Sequence, residues 1–228
     1  MPMLYEFCAE NFTLVPDAIA RGAGRVELCD NLAQGGTTPS IGVLDHTLAY
    51  AHAHGVTVMT MVRPRGGDFV YSEDELSVMV EDASVAARRG TDGIVLGCLR
   101  GEPGRYQVDE AATECVILAA QRAAGTRTLE VTFHMAFDEL DRALQADVLP
   151  RLASLGVTRV LTHGGRAGTP IMGNSSHLRR LSESAPDGLK ILPGGGVTWR
   201  NRDAVASATG ASELHGTRIV PLADDPEA

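Results

Sequence analysis

The sequence is short of positive charge, and lysine is almost absent from it. Lys190 is the single lysine in 228 residues, and 20 Lys and Arg residues stand against 29 Asp and Glu residues, a formal net charge of −9. Nucleic acids and anionic membranes are bound through a concentrated positive field. The composition therefore argues against both kinds of partner, and any chemistry that needs a lysine amine has only one side chain to use.

Cysteines are few, and long apolar runs are missing. The four cysteines, Cys8, Cys29, Cys98 and Cys115, contain no CxxC pair, unlike the dense spacing of small disulfide-stapled domains. Free thiols fit a reducing compartment. No stretch approaches the roughly eighteen apolar residues of a membrane span, and the N-terminus lacks a signal-peptide pattern. We therefore predict a cytoplasmic protein with no membrane partner.

What the sequence does contain is a regular alternation of short β-branched runs and longer alanine-rich runs at helical spacing. This pattern is typical of βα units that feed a parallel sheet. Helix starts are predicted at Ser40 and at the capping box Ser72-Glu-Asp-Glu75, and helix ends at Gly22, Gly55, Gly90, Gly125, Gly156 and Gly210. The predicted strands are Leu4–Cys8, Arg25–Cys29, Val56–Arg63, Gly93–Cys98, Leu129–His134, Arg159–Thr162, Leu189–Leu192 and Glu213–Thr217.

Polar residues at every second strand position favour a closed barrel over an open sheet. Central strands of an open sheet read as continuous apolar runs, whereas Glu6 and Cys8, or Glu27 and Cys29, alternate with apolar residues. Residues two apart share a strand face, so these pairs should point into the top of a barrel. We predict a TIM (β/α)8-type barrel as a single domain over residues 1–228. Its last helix is missing or truncated, which leaves one flank thinly covered.

Two E-x-C segments on neighbouring strands predict a metal site at the barrel mouth. Cys8 and Cys29 should lie one strand spacing apart, and paired thiolates suit the soft ion Cu(I). The alternative is structural, because free cysteine is among the most buried residue types and packs as a small hydrophobic side chain.

Glu6 and Glu27 need cationic partners, because an unpaired buried carboxylate is costly. Arg63 and Arg65, in the segment that ends at Asp68 after the third strand, are the predicted partners. Guanidinium groups also bind carboxylate and phosphate ligands. This set therefore predicts either a site for a small anionic ligand or an internal ion-pair network that holds the barrel top together.

Histidines at strand ends are candidates for proton transfer. His134 ends the fifth strand and Asp138 follows it, while His215 lies on the eighth strand. With Glu27, His134 and Asp138 form the candidate catalytic set, and His215 is a candidate ligand-binding residue. A structural core histidine is the alternative for each. The remaining histidines considered lie on helices or loops and are predicted at the surface: His46, His52, His54 and His177.

The glycine run Gly194, Gly195 and Gly196 follows the seventh strand, where barrels commonly bind phosphate through backbone amides. A plain tight turn explains it almost as well. Lys190 begins the same strand, so it should lie at the bottom of the barrel. That position argues against a Schiff-base aldolase.

Taken together, the motifs resemble the copper homeostasis protein CutC family over about Leu4 to Thr217. The resemblance implies a TIM barrel, a cytoplasmic setting, a role in copper tolerance or trafficking, and Cu(I) bound by Cys8 and Cys29. An enzyme acting on a small phosphorylated or carboxylated substrate is the alternative, and a homo-oligomer stays open. The motifs are Glu6-Phe-Cys8, Arg25-Val-Glu-Leu-Cys29, Gly35-Gly-Thr-Thr-Pro-Ser40, Arg63-Pro-Arg-Gly-Gly-Asp68, Val131-Thr-Phe-His134, Ala136-Phe-Asp138, Arg159-Val-Leu-Thr162 and Pro193-Gly-Gly-Gly196.

Overall fold

Eight parallel strands form a nearly closed barrel in the computed structural model, which describes residues 3–165, 168–223 and 225. A small antiparallel hairpin, β5 (Leu99–Arg100) and β6 (Gln107–Val108), follows the fourth strand. The predicted TIM-type barrel is confirmed. Its strands are β1 (Leu4–Glu10), β2 (Arg25–Cys29), β3 (Thr57–Met61), β4 (Gly93–Leu96), β7 (Glu130–Phe133), β8 (Arg159–Thr162), β9 (Lys190–Pro193) and β10 (Glu213–Gly216).

The helices that surround the barrel begin and end largely where the sequence predicts. Ser72 and Glu75 form a complete capping box, Ser40 caps the second helix, and all six predicted cap glycines have positive φ. Within the described residues no helix has the length and apolar character to cross a membrane. The α-helices described are α1 (Val15–Ala20), α2 (Ile41–Ala53), α3 (Glu73–Arg89), α4 (Glu110–Ala124), α5 (Gln145–Ser154), α6 (Ser175–Ser184) and α7 (Arg202–Thr209).

Several strands end one or two residues earlier than predicted. Val62 still donates its N–H to Val95 at 2.8 Å, and His134 donates to Leu96 at 2.8 Å, although both lie beyond their strands. The chain therefore leaves the sheet gradually at the carboxyl ends. This is where loop residues take over the polar side chains of the mouth.

The barrel has one seam that backbone ladder bonds do not close. The hydrogen-bonded order runs β10-β1-β2-β3-β4-β7-β8-β9, and β9 contacts β10 without pairing as strands. Just beyond them, Thr198 and Arg218 form an isolated parallel bridge, and the Trp199 N–H donates to the Arg218 carbonyl at 2.7 Å. The seam is therefore closed by the segments that follow the two strands.

The inside of the barrel holds a small apolar cluster that is separate from the main core. The main core lies between the strands and the helices. Inside, the two thiols pack against three apolar side chains of the neighbouring strands, and all five residues are buried: Cys8, Cys29, Met59, Met61 and Val95. The inner cluster thus places both cysteines directly beneath the mouth.

The flank next to α7 is better covered than the sequence led us to expect. Ile219, Val220 and Leu222 are fully buried. The Ala223 N–H donates to the Asp17 carboxylate at 2.7 Å, which ties this segment to α1. The segment after β10 therefore covers part of the flank that was predicted to be thinly covered.

Candidate functional site

A cavity of about 200 Å³ opens at the carboxyl ends of the barrel strands. It joins a wider groove of about 720 Å³, and the two share Gly35, Arg63, Phe69 and Met135. Leu32, Met61 and Leu161 complete its apolar wall. Its polar lining residues come from five of the barrel strands and the loops that follow them: Cys8, Glu27, Arg63, His134, His215 and Thr217.

Glu6 lies inside the barrel below this cavity, and its partners differ from the predicted ones. Arg25 pairs with one oxygen of Glu6, and His215 Nδ1 lies 2.8 Å from the other. Burial raises the pKa of Glu6, but Arg25 and His215 outweigh it and lower the pKa to about 2. The prediction that Arg63 and Arg65 neutralise the buried carboxylates is therefore wrong.

The reason is the register of the strands. Arg25 lies beside Glu6 on β2, in direct register, and it precedes Glu27 by two residues on the same strand face. The period-two rule that brings Glu27 and Cys29 together also includes Arg25. The signal for this partner was thus present in the sequence and was missed.

Both thiols converge on the carboxyl group of Glu27. Cys8 Sγ lies 3.5 Å and Cys29 Sγ 3.6 Å from Glu27 Oε1. His215 Nε2 lies 3.9 Å from the same oxygen. One ligand atom from each of Cys8, Glu27 and His215 can be chosen so that all three atoms lie within 4.8 Å of one another. The structure therefore places both predicted metal ligands beside Glu27, but of the two only Cys8 belongs to the group with Glu27 and His215.

The ionisable side chains of this cluster shift one another's pKa values. The neighbouring Cys29 thiol lowers the pKa of Cys8 to about 5, against the effect of burial and with help from His215. Burial raises the pKa of Glu27. Burial lowers the pKa of His215, but Glu27 and Cys8 raise it well above its usual value. Cys8 is therefore the side chain best placed to be a thiolate.

The donor set fits a soft metal ion. Glu6 holds His215 through Nδ1, which leaves Nε2 toward Cys8 and Glu27, and this is the carboxylate–histidine arrangement common behind metal ligands. Glu27 Oε2 is buried and has no hydrogen-bond partner. Thiolates with an imidazole suit Cu(I) or zinc. Cys8, Glu27 and His215 are thus the residues whose donor atoms could hold an ion, and Cys29 lies beside them.

Arg63 lies at the edge of the cavity and clamps two loops. Its Nη1 donates to the Gln34 and Gly36 carbonyls, and its Nη2 to the Gly67 carbonyl, all at 2.8 Å. The guanidinium stands 4.9 Å from the centre of the Phe69 ring. Arg63 Nε is buried without a partner. Three of the five N–H groups of this side chain are therefore bonded to carbonyls, and the buried Nε–H is one that is left for a ligand.

Arg65 and Asp68 do not line the mouth cavity. Arg65 pairs with Glu75 of the α3 capping box and with Asp68 at 3.1 Å. It also donates to the Val70 carbonyl at 2.9 Å. These contacts brace the loop before α3, and the predicted ligand-binding role of both residues receives no support from their position.

His134 is buried and has a defined proton position. Its Nδ1 accepts the Ala136 N–H at 3.2 Å, so in the neutral ring the proton lies on Nε2, which has no partner. Burial and the nearby charge of Arg63 lower its pKa to about 3. His134 is therefore a neutral hydrogen-bond donor at the cavity wall.

Asp138 is engaged in local structure. Its carboxylate accepts from Thr162 Oγ1 at 2.5 Å, from the His163 N–H at 2.8 Å and from the Gly164 N–H at 3.1 Å. It lines the wider groove, not the mouth cavity. The structure thus separates Asp138 from Glu27 and His134, with which it was grouped as catalytic.

The position of the glycine run gives no support to its predicted binding of an anion. Gly194 donates its N–H to the Thr162 carbonyl at 3.1 Å, so this amide is not free for a phosphate. Gly195 and Gly196 do not line the mouth cavity either.

His177 was predicted at the surface but is buried, with Nε2 at 2.7 Å from Gln145. That prediction is wrong because α6 turns this residue toward α5.

Sequence and structure comparisons show the family of this chain. A sequence model of the CutC family matches residues 3–220. The chain belongs to the CutC family. The CutC protein of Enterococcus faecalis is 52% identical over 218 residues, which cover 96% of this chain and 100% of that protein. The human copper homeostasis protein cutC homolog is 38% identical over 216 residues, 93% of this chain and 72% of that protein.

A solved CutC structure has the same fold. The CutC structure from Streptococcus agalactiae matches with a TM-score of 0.89 at 42% identity, and the match covers 96% of this chain and 100% of that chain. The CutC family relationship and the TIM-type barrel predicted from the sequence are thus confirmed.

Proposed function

We propose that this protein is a copper homeostasis protein of the CutC type that binds Cu(I) as cargo in the cytoplasm. Cys8 and Cys29 supply the thiolate ligands, and His215 and Glu27 complete the set. The observation that supports this most is the convergence of both thiols on Glu27 Oε1, at 3.5 and 3.6 Å.

Burial and redox state favour the same proposal. Cys8 and Cys29 are both buried, and all four cysteines are free. A reducing cytoplasm keeps thiols free. Thiolate ligands favour a soft monovalent ion over hard divalent ions.

The test is an anaerobic Cu(I) titration against a competing chromogenic chelator. We expect the parent protein to compete for Cu(I) and the double variant Cys8→Ser/Cys29→Ser to lose that binding. Cys98→Ser is the matched control, because Cys98 is an equally buried thiol outside the cavity. A double variant that binds Cu(I) like the parent overturns the proposal.

A second candidate function is a barrel enzyme acting on a small carboxylated or phosphorylated substrate. It is favoured by three buried polar atoms without partners on residues that line one cavity: Glu27 Oε2, Arg63 Nε and His134 Nε2. Unsatisfied buried groups are rare in proteins and cluster where ligands bind. In this candidate, Glu27 or His134 moves a proton.

A thermal-shift screen of small phosphates and carboxylates tests the enzyme candidate. Any compound that raises the melting temperature is then incubated with the protein and followed by NMR. New resonances that grow with time support an enzyme. Compounds that are all recovered unchanged, under both metal-free and Cu(I)-loaded conditions, count against it.

A further inference from the structure

We propose that the barrel mouth binds a small monocarboxylate, whose two oxygens accept hydrogen bonds from Arg63 Nε and His134 Nε2. The inference deepens the second candidate function and rests on it for the location of the site. It does not require copper, and it assigns the ligand class that the sequence left open between carboxylate and phosphate.

The Arg63 donor is fixed in place before any ligand arrives. Three backbone carbonyls occupy both terminal nitrogens of the guanidinium. Rotation would break these bonds, so Nε–H keeps its direction. Arg63 is only 3% exposed, and a buried donor left without a partner is destabilising. A ligand oxygen is the natural partner of this N–H.

The His134 donor is fixed just as firmly. A Cβ added to Gly97 would lie 2.5 Å from both Cε1 and Nδ1 of His134, which shows that the ring lies directly against the Gly97 backbone. Phe69 packs on the ring with 4.9 Å between centroids. With Nδ1 accepting from Ala136, Nε2–H is the free donor of a ring that cannot turn.

The number and charge of the donors select a carboxylate over a phosphate. One guanidinium N–H and one neutral imidazole N–H match the two oxygens of a carboxylate. The third oxygen of a phosphate would have no donor in this pair. Phosphate sites also use several free backbone amides, and the Gly194 amide is already bonded.

The walls of the cavity favour a ligand with an apolar part. Leu32, Met61 and Leu161 line the same space of about 200 Å³ as the two donors. A carboxylate on a short carbon chain would place its charged end at the donors and its chain against these side chains.

Calorimetric titration of metal-free, reduced protein tests the proposal, with butyrate as probe and butyramide and inorganic phosphate as comparisons. We expect butyrate to bind more tightly than either. His134→Phe, which keeps a ring but removes the donor, should weaken butyrate binding about tenfold or more. His177→Phe is the matched control, because it alters a buried histidine outside the cavity. Phosphate binding more tightly than butyrate overturns the proposal.

A second measurement does not depend on any variant folding. The His134 Nε2–H resonance of the parent protein should move downfield when butyrate is added, and an unmoved resonance at saturating butyrate contradicts the proposal. The Cys98→Ser variant should bind butyrate like the parent, because Cys98 does not line the cavity. Butyrate binding, together with recovery of every screened compound unchanged, rejects the enzyme candidate and leaves the carboxylate site standing, whereas phosphate-specific turnover does the reverse.

Discussion

At the residue scale, Glu6 contacts His215 on the side of the ring opposite the thiol cluster. It accepts from His215 at 2.8 Å and pairs with Arg25, so it orients the imidazole and balances a buried guanidinium. We expect Glu6→Gln to weaken Cu(I) binding about 10–100-fold, the usual effect of losing a partner behind a metal ligand. The chelator competition assay measures this. Glu10→Gln, at the exposed end of the same strand, is the control.

Glu6→Gln also removes half of a buried ion pair. Arg25 keeps its second partner, Glu213, at 2.6 Å, so the loss of stability should lie at or below the about 3–5 kcal/mol typical of a broken buried pair. Urea unfolding of the metal-free protein gives this number. A folded variant with unchanged Cu(I) affinity shows that His215 is not a ligand oriented by Glu6.

A second prediction at this scale concerns Gly97. An added methyl group would lie 2.5 Å from the His134 ring, so Gly97→Ala must displace the ring or the strand end. We expect a loss of about 1–3 kcal/mol in the free energy of unfolding, as for other overpacked sites, measured by urea denaturation. Gly42→Ala is the control, because nothing lies within 4 Å of its added Cβ; equal losses in both variants refute the prediction.

Residue patterns predicted which side chains face inward better than they predicted what those side chains bind. Strand alternation placed Cys8, Cys29 and Glu27 in one cluster, because period two fixes the face of each residue. It did not give the partners of Arg63, which are backbone carbonyls of two loops. Loop backbone conformation has no such period, so these contacts were not readable from the sequence.

At the element scale, the start of α3 holds the loop that contributes Phe69 to the mouth. Ser72 and Glu75 cap the helix reciprocally, and Glu75 also pairs with Arg65. Ser72→Ala should lower the free energy of unfolding by about 1 kcal/mol and speed amide hydrogen exchange in residues 65–71. Ser77→Ala, in the same helix and away from its start, is the control; identical exchange in both variants argues against the coupling.

Elements with strong local signals were predicted, and weak ones were missed. The capping box and the cap glycines gave α3 its observed limits of Glu73 and Arg89. The β5–β6 hairpin has two residues in each strand, too few to show an alternation. Its pairing is set by the fold around it rather than by its own residues.

At the scale of the whole molecule, the interior of the barrel carries charge from bottom to top. Near the bottom, Glu213 of β10 accepts from Arg25 and Arg159, each at 2.6 Å, and pairs with Lys190. The position of Lys190 at this end agrees with the sequence. The bonds join strands β2, β8 and β9 to β10, so this one carboxylate links strands on both sides of the seam between β9 and β10.

The last prediction follows from this carboxylate. Burial raises the pKa of Glu213, but Arg25 and Arg159 outweigh it and lower the pKa from its model-compound value of 4.5 to about 2. A carboxyl group whose pKa is depressed by folding stabilises the fold fully above its unfolded pKa and loses that contribution as the pH falls toward the folded value. The free energy of unfolding should therefore decline between about pH 4.5 and pH 2, in urea titrations at each pH. Glu213→Gln should be less stable at pH 7 by about 3–5 kcal/mol and should show a shallower decline, whereas the exposed control Glu183→Gln should follow the parent. A Glu213→Gln variant with the parent's slope would place the acid sensitivity elsewhere in the barrel.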